Sequence, residues 1–247
     1  RAADRDVGHC QGWGLSSWMQ ERSLQGDGMQ DQRADLEWRD GDVPVSTRFD
    51  DPYFSLENGL DETRHVFLAG NGLPARFRDG FHIAELGFGT GLNFMVTLAA
   101  WRAAGIDGVL HFTSFEAYPM SVDEMARALA AFGIGDELVA VWNGRGGRFE
   151  FGDALLEVIT GDARTTLPEW QGKADAWFLD GFSPAKNPEL WDETLMQAVA
   201  DHTAAQGTLA TYTAAGFVRR GLDAAGFEVS RVSGYGRKRH MTVGALR

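Results

Sequence analysis

The segment Glu85-Leu86-Gly87-Phe88-Gly89-Thr90-Gly91 constrains this chain more than any other. It follows Phe81 to Leu86, an apolar stretch that reads as a strand, and it opens residues 90–104, which read as a helix ending at Gly105. Glycines between a strand and a helix permit a tight turn and let the backbone approach a ligand closely. In open α/β sheets, ligands sit at the carboxyl ends of the strands. A glycine-rich turn that holds nothing is the alternative.

The pattern around this loop alternates. Val109 to Glu116, Leu155 to Thr160, Ala174 to Leu179 and Gly207 to Tyr212 read as further strands. Helices are expected from Ser121 to Phe132, over 188–202 and over 213–225, the first opened by a capping box of Ser121 and Glu124. Such alternation predicts βαβ units, a mostly parallel sheet and an α/β class. Phe227 to Val232 and His240 to Leu246, joined by a short basic turn, predict a C-terminal antiparallel hairpin. Upstream, residues 34–79 read as a strand-rich lead-in with a helix from Asp61 to Leu68, closed at Gly70-Asn71-Gly72. Residues 1–33 have no sustained period and are expected to be weakly ordered or peripheral, with 80–247 as the main domain.

The glycine spacing selects among ligands. A dinucleotide fingerprint needs G-x-G-x-x-G and a phosphate loop needs Gly-Lys-Ser/Thr. Here Gly87, Gly89 and Gly91 give G-x-G-x-G, and Glu85 precedes them. An acid at that place suits a cationic ligand, and S-adenosylmethionine carries both a sulfonium and an ammonium. Two further acids fit it. Glu116 ends the second strand, placed to accept from ribose hydroxyls, and Asp162, in Gly161-Asp162-Ala163, is placed to accept from an adenine amino group. Each alone is as readily a helix cap; their positions at successive strand ends make them a set.

The fourth strand runs into Asp180-Gly181-Phe182-Ser183-Pro184-Ala185-Lys186-Asn187-Pro188. An amine attacks only through a free lone pair. A carboxylate that accepts its N–H aims that lone pair, which is positioning more than proton removal. Asp180 fits that role, with Phe182 as a stacking ring and Lys186 and Asn187 reaching a phosphate or ordering the loop. Asp180 as a turn cap and Phe182 as core are the alternatives. Tyr212, at the next strand end, is either pocket or core.

These stretches, with Glu85 to Asn93, Phe115 to Pro119, Thr211 to Arg220 and Gly234 to Arg239, resemble the methyltransferase domain of the MnmC family. Pro44 to Ser55 and Gly59 to Glu62 resemble the family's lead-in, so the likeness covers about residues 35–246. The resemblance implies a Rossmann-like class I methyltransferase fold and S-adenosylmethionine as donor. It implies the aminomethyl group of 5-aminomethyl-2-thiouridine, at the tRNA wobble position, as acceptor. It makes Asp180 the amine-orienting residue and Phe182 a wall of the base pocket. Glu85, Gly87, Gly89, Thr90, Gly91, Asn93, Glu116, Asp162 and Ala163 are then the candidate cofactor residues. Phe182, Ser183, Pro184, Lys186, Asn187, Tyr212, Tyr53, Arg219, Arg237, Lys238 and Arg239 are the candidates for the anticodon stem-loop, with Phe49 and Phe54 as further stacking rings. Many members carry a flavin oxidase domain after the methyltransferase. No FAD is expected in this chain, which reads as a stand-alone, MnmD-like enzyme or a piece of a fused one, with an oxidase as domain or separate partner.

A net charge of −12 argues against a nucleic-acid partner. The distribution weakens that argument. Residues 216–247 hold seven Arg and Lys against two acids, including Arg219, Arg220, Arg231, Arg237, Lys238, Arg239 and Arg247. This is either a solvated helix and turn or a surface for phosphates. One cysteine excludes a disulfide framework and a Cys-rich zinc site. His65, His82, His111 and His240 have no metal spacing and read as structural. With no long apolar run and no signal segment, a cytoplasmic protein without a membrane partner is expected. The rivals are an N-methyltransferase of small amines, a non-enzymatic tRNA-binding module, and a nicotinamide oxidoreductase, which the missing third glycine disfavours.

Overall fold

A computed structural model describes residues 33–39, 41–54 and 59–247. The expectation for residues 1–33 lies outside the described residues apart from Arg33.

The lead-in forms a three-stranded antiparallel sheet of β1 (Leu36–Arg39), β2 (Val43–Ser46) and β3 (Asp51–Pro52). A helical segment follows: α1 (Gly59–Thr63), a π turn over Arg64–Leu68 and a 3-10 turn over Ala69–Asn71, ended by Gly72 in the left-handed region. The main sheet then builds from β4 (His82–Leu86), α2 (Leu92–Ala104), β5 (Leu110–Glu116), α3 (Val122–Ala130) and α4 (Asp136–Val141). It continues with β6 (Gly147–Glu150), β7 (Ala154–Thr160), α5 (Ala163–Thr166), β8 (Ala174–Leu179) and α6 (Glu193–Asp201). It closes with β9 (Thr203–Thr211), α7 (Gly216–Ala224), β10 (Phe227–Ser233) and β11 (His240–Leu246).

Its eight strands lie in the order β10-β11-β9-β8-β4-β5-β7-β6. β7, β5, β4, β8 and β9 are mutually parallel, so their carboxyl ends share one edge. The expected terminal hairpin is present, with β11 inserted between β9 and β10, antiparallel to both. This is the class I methyltransferase fold. Among the described residues, no helix is long and apolar enough to cross a membrane.

Strand alternation sends side chains to two separate cores. Ile83, Phe112 and Phe178 pack with Phe94 and Leu98 of α2 on one face. Ala84, Leu86, Phe115, Trp177 and Leu179 pack with Leu195, Val199, Val218 and Leu222 of α6 and α7 on the other. Trp101, Trp177 and Trp191 are fully buried, each contributing about 1.5–3 kcal/mol or more by area. The same parity puts Glu85 and Ser114, paired across β4 and β5, on the α2 face.

The capping box forms as expected, with the Ser121 hydroxyl accepting from Glu124 N–H and the Glu124 carboxylate accepting from Ser121 N–H. The single helix expected over 188–202 is two elements. Pro188–Trp191 is a 3-10 turn, and Asp192 adopts extended backbone and caps α6 through Leu195 N–H. Strand β6 and helices α4 and α5 were not anticipated.

Candidate functional site

A cleft of about 1220 Å³ opens along the carboxyl edge of the parallel strands. Each strand end delivers a candidate to it: Gly87 to Thr90 after β4, Glu116 from β5, Asp162 and Ala163 after β7, Asp180 to Ser183 after β8 and Tyr212 after β9. The lead-in supplies the opposite wall, through Arg48, Phe49, Tyr53, Phe54, Glu62 and Thr63.

The glycine loop is shaped by need. Gly87, Gly89 and Gly91 have φ of 83°, 54° and 77°. A side chain at Gly87 would press on the Gly181 backbone at 3.2 Å, and one at Gly91 would meet Leu138 at 2.6 Å. Gly91 is the N-cap of α2 and does not itself line the cleft.

Glu116 binds this loop in place. One carboxylate oxygen accepts from Gly89 N–H at 2.8 Å and the other from Tyr118 N–H at 2.7 Å. Burial pushes its carboxyl above the usual range, and these main-chain donors oppose the shift. Each oxygen keeps a lone pair for a hydroxyl donor. Asp162 caps α5 through Arg164 N–H at 2.9 Å and pairs with the Arg164 guanidinium, which holds its carboxyl below the usual range. Any adenine amino group shares Asp162 with that arginine.

The geometry removes Glu85 from the cleft wall. It is fully buried, accepting from Asn93 Nδ2 at 2.8 Å and Ser114 Oγ at 2.7 Å, and burial raises its carboxyl well above the usual range. Asn93 lines the cleft and donates a second N–H to Asp180 at 2.8 Å.

Asp180 is both turn cap and cleft residue. Its other oxygen accepts from Gly181 N–H at 2.8 Å. The enclosing protein pushes its carboxyl up to about 6, against the pull of Gly181, Asn93 and the Lys238 ammonium. Phe182 is not core. It stacks on Phe49 with ring centres 4.7 Å apart and meets Tyr53 edge-on at 5.0 Å. Tyr212 lines the cleft, donates to Gly181 C=O at 2.9 Å and lies beneath Lys238 Nζ, 4.0 Å from the ring centre.

The remaining candidates divide. Ser183, Asn187, Arg237 and Lys238 line the cleft. Pro184, Lys186, Arg219 and Arg239 do not. Lys186 pairs with Asp50 at 2.7 Å and so orders the loop. Arg219 is half-buried on α7 and its buried Nε has no hydrogen-bond partner. Lys238 spends its charge within the chain, on Glu62 at 2.7 Å. Arg231, Arg237 and Arg239 remain exposed.

Sequence reasoning missed Glu62, Thr63, Arg48, Tyr118 and Tyr235 as wall residues. Glu62 and Thr63 sit in a short helix before the sheet begins, and local spacing carries no sign that it folds over the strand ends.

The cleft meets the demands of S-adenosylmethionine. Gly87 and Gly89 form a side-chain-free cradle, and Glu116 and Asp162 offer acceptors.

Comparison with known proteins agrees. Residues 136–247 match a family described as S-adenosyl-L-methionine-dependent methyltransferase. A tRNA 5-methylaminomethyl-2-thiouridine biosynthesis bifunctional protein MnmC from Aeromonas hydrophila is 45% identical over 232 residues, covering 85% of this chain and 35% of that protein. Its counterpart from Hahella chejuensis is 45% identical over 228 residues, covering 86% of this chain and 36% of that protein. The chain therefore spans about a third of the length of these relatives. The crystal structure of MNMC2 from Aquifex aeolicus superposes with a TM-score of 0.69 at 27% identity, covering 87% of this chain and 72% of that one. Its C-terminal part, residues 136–247, thus resembles the S-adenosyl-L-methionine-dependent methyltransferases, and the chain is similar over most of its length to part of the MnmC proteins.

Proposed function

We propose that this chain transfers a methyl group from S-adenosylmethionine to the amine of 5-aminomethyl-(2-thio)uridine at the wobble position of tRNA, giving the 5-methylaminomethyl nucleoside. The observation that carries this reading is the Asp180 carboxylate, which lines one cleft with the Gly87–Gly89 turn and with the mutually packed rings of Phe49, Tyr53 and Phe182.

Gly87, Gly89, Thr90, Glu116, Asp162 and Ala163 hold the donor. When bound, it supplies an electrophilic methyl group on a sulfonium sulfur. Asp180 accepts an amine N–H and directs the nitrogen lone pair toward the cradle. With its carboxyl near 6, it is an anion at neutral pH. An alkylamine keeps its proton near pH 7, and an anion nearby strengthens that hold. The Lys238 ammonium opposes it, because a second cation beside Lys238 is repelled. Phe49 and Phe182 offer faces to a base splayed from a single-stranded loop. Exposed Arg231, Arg237 and Arg239 suit phosphates and restrict an otherwise acidic body to one tRNA face. A flavin oxidase, as a further domain or separate protein, fits as a partner, and a cytoplasmic location follows from the tRNA substrate.

Methylation assays with labelled donor test this against small-amine turnover. tRNA bearing 5-aminomethyluridine is methylated, while tRNA lacking it and free alkylamines are not. Turnover of free alkylamines at comparable kcat/KM would favour a small-molecule enzyme. Tight tRNA binding with no methyl transfer would favour a binding module.

A further inference from the structure

Asn93 stands on the first turn of α2, nearly buried, with every polar atom of its amide engaged. Nδ2 carries two hydrogens. One goes to Glu85 on β4 and the other to Asp180 after β8, both at 2.8 Å. Oδ1 accepts from the Thr63 hydroxyl of α1, also at 2.8 Å. Glu85 is itself held by Ser114 on β5.

The amide has one workable orientation. Turned over, it would set its oxygen against the Asp180 carboxylate and leave the Thr63 hydroxyl without an acceptor. Thr63 thus selects the orientation, and Glu85 and Asp180 define it from two other elements. The neutral donor has a further consequence. A lysine or arginine here would fix Asp180 equally well but would cancel its charge and repel a cationic ligand. An amide orders the carboxylate and leaves its charge in place.

We propose that Asn93 is a positioning residue for Asp180, oriented by Thr63 and Glu85 so that the carboxylate presents its remaining lone pairs to the substrate amine. This deepens the reading of Asp180 as the amine acceptor and rests on it. With Gly181 N–H on one oxygen and Asn93 on the other, Asp180 cannot rotate without losing a bond. The charged and titratable groups facing it are Glu85 on β4, Glu62 on α1, Tyr212 after β9 and Lys238 in the β10–β11 turn.

The test uses Asn93→Ala and Thr63→Val in the full chain. Three quantities are read: the carboxyl NMR titration of Asp180, assigned by its disappearance in Asp180→Ala, the affinity for S-adenosylmethionine, and kcat and KM for tRNA. Asn93→Ala removes a donor from the charged form, so the Asp180 midpoint rises by about one pH unit. Its kcat falls about 10- to 100-fold while donor affinity and KM stay within about threefold. Thr63→Val moves both in the same direction by less, and it carries the test if Asn93→Ala does not fold. An unmoved Asp180 midpoint overturns the proposal. So does a loss of donor affinity matching the loss of rate, which would make Asn93 a cofactor ligand. The titration needs neither tRNA nor donor, so it decides the coupling even if the assigned substrate is wrong.

Discussion

Lys238 and Glu62 form an ion pair, 2.7 Å between Nζ and a carboxylate oxygen, that ties the turn between β10 and β11 to α1 beside Asp180. Both partners are part exposed, and such a pair contributes about 0–1 kcal/mol to stability. Its value lies in where it puts a positive charge, over the Tyr212 ring at the cleft. Lys238→Met is expected to lower kcat/KM for tRNA methylation about tenfold and to shift Tm by less than about 3 °C. A larger Tm loss in a thermal melt would place its value in the fold instead.

Asp180→Ala should reduce the methyl-transfer rate by about 10²- to 10⁴-fold with donor affinity retained, as read by single-turnover kinetics and calorimetry. Asn is not a neutral substitute. Both Asp180 oxygens accept from donors, so one of them would meet an amide N–H.

The same residue sets a pH dependence. Burial pushes its carboxyl up to about 6, and the anion is the stronger acceptor of an amine N–H. The kcat/KM profile of the parent should therefore rise through an ionisation near pH 6 that is missing in Asp180→Ala. The substrate amine adds a second rise at higher pH. A parent profile flat between pH 5 and 7 would contradict the assignment.

Glu85 makes a stability prediction. Its folded carboxyl titrates well above the usual value of 4.5 because of burial. A raised carboxyl favours folding fully below the unfolded value, and that contribution is lost as pH rises toward the folded one. Loss runs at up to about 1.4 kcal/mol per pH unit. Glu85→Gln preserves both contacts, since a Gln oxygen accepts from Asn93 and its amide donates to Ser114. The variant should gain stability relative to the parent as pH rises from 5 to 8 in denaturant titrations. A constant difference would refute the burial argument.

Phe182 stacks on Phe49 rather than filling a core. Phe182→Ala should raise KM for tRNA about 5- to 100-fold, the range for losing one base–aromatic stack, with donor affinity unchanged in calorimetry.

Apart from β6, the strands of the main sheet were legible as short apolar or alternating runs between helical stretches, and Ala174–Leu179 and His240–Leu246 match their expected bounds. The Ser121–Glu124 cap was legible because its chemistry is local. The break at Asp192 was not, since an Asp inside a helical pattern reads equally as an exposed helix residue. At the site, strand ends told where Glu116, Asp162 and Asp180 fall. They did not tell that Glu85 points under the loop, which depends on strand parity and on Asn93 reaching back from α2. Nor did a run of basic residues reveal that Lys238 is paired with Glu62, 176 residues away.

The most direct test of the account is mass spectrometry of wobble nucleosides from tRNA bearing 5-aminomethyluridine, incubated with this protein and S-adenosylmethionine, beside the Asp180→Ala variant. The account predicts conversion to the 5-methylaminomethyl nucleoside by the parent and little by the variant. An unmethylated wobble nucleoside in both samples, or equal conversion by both, would contradict it.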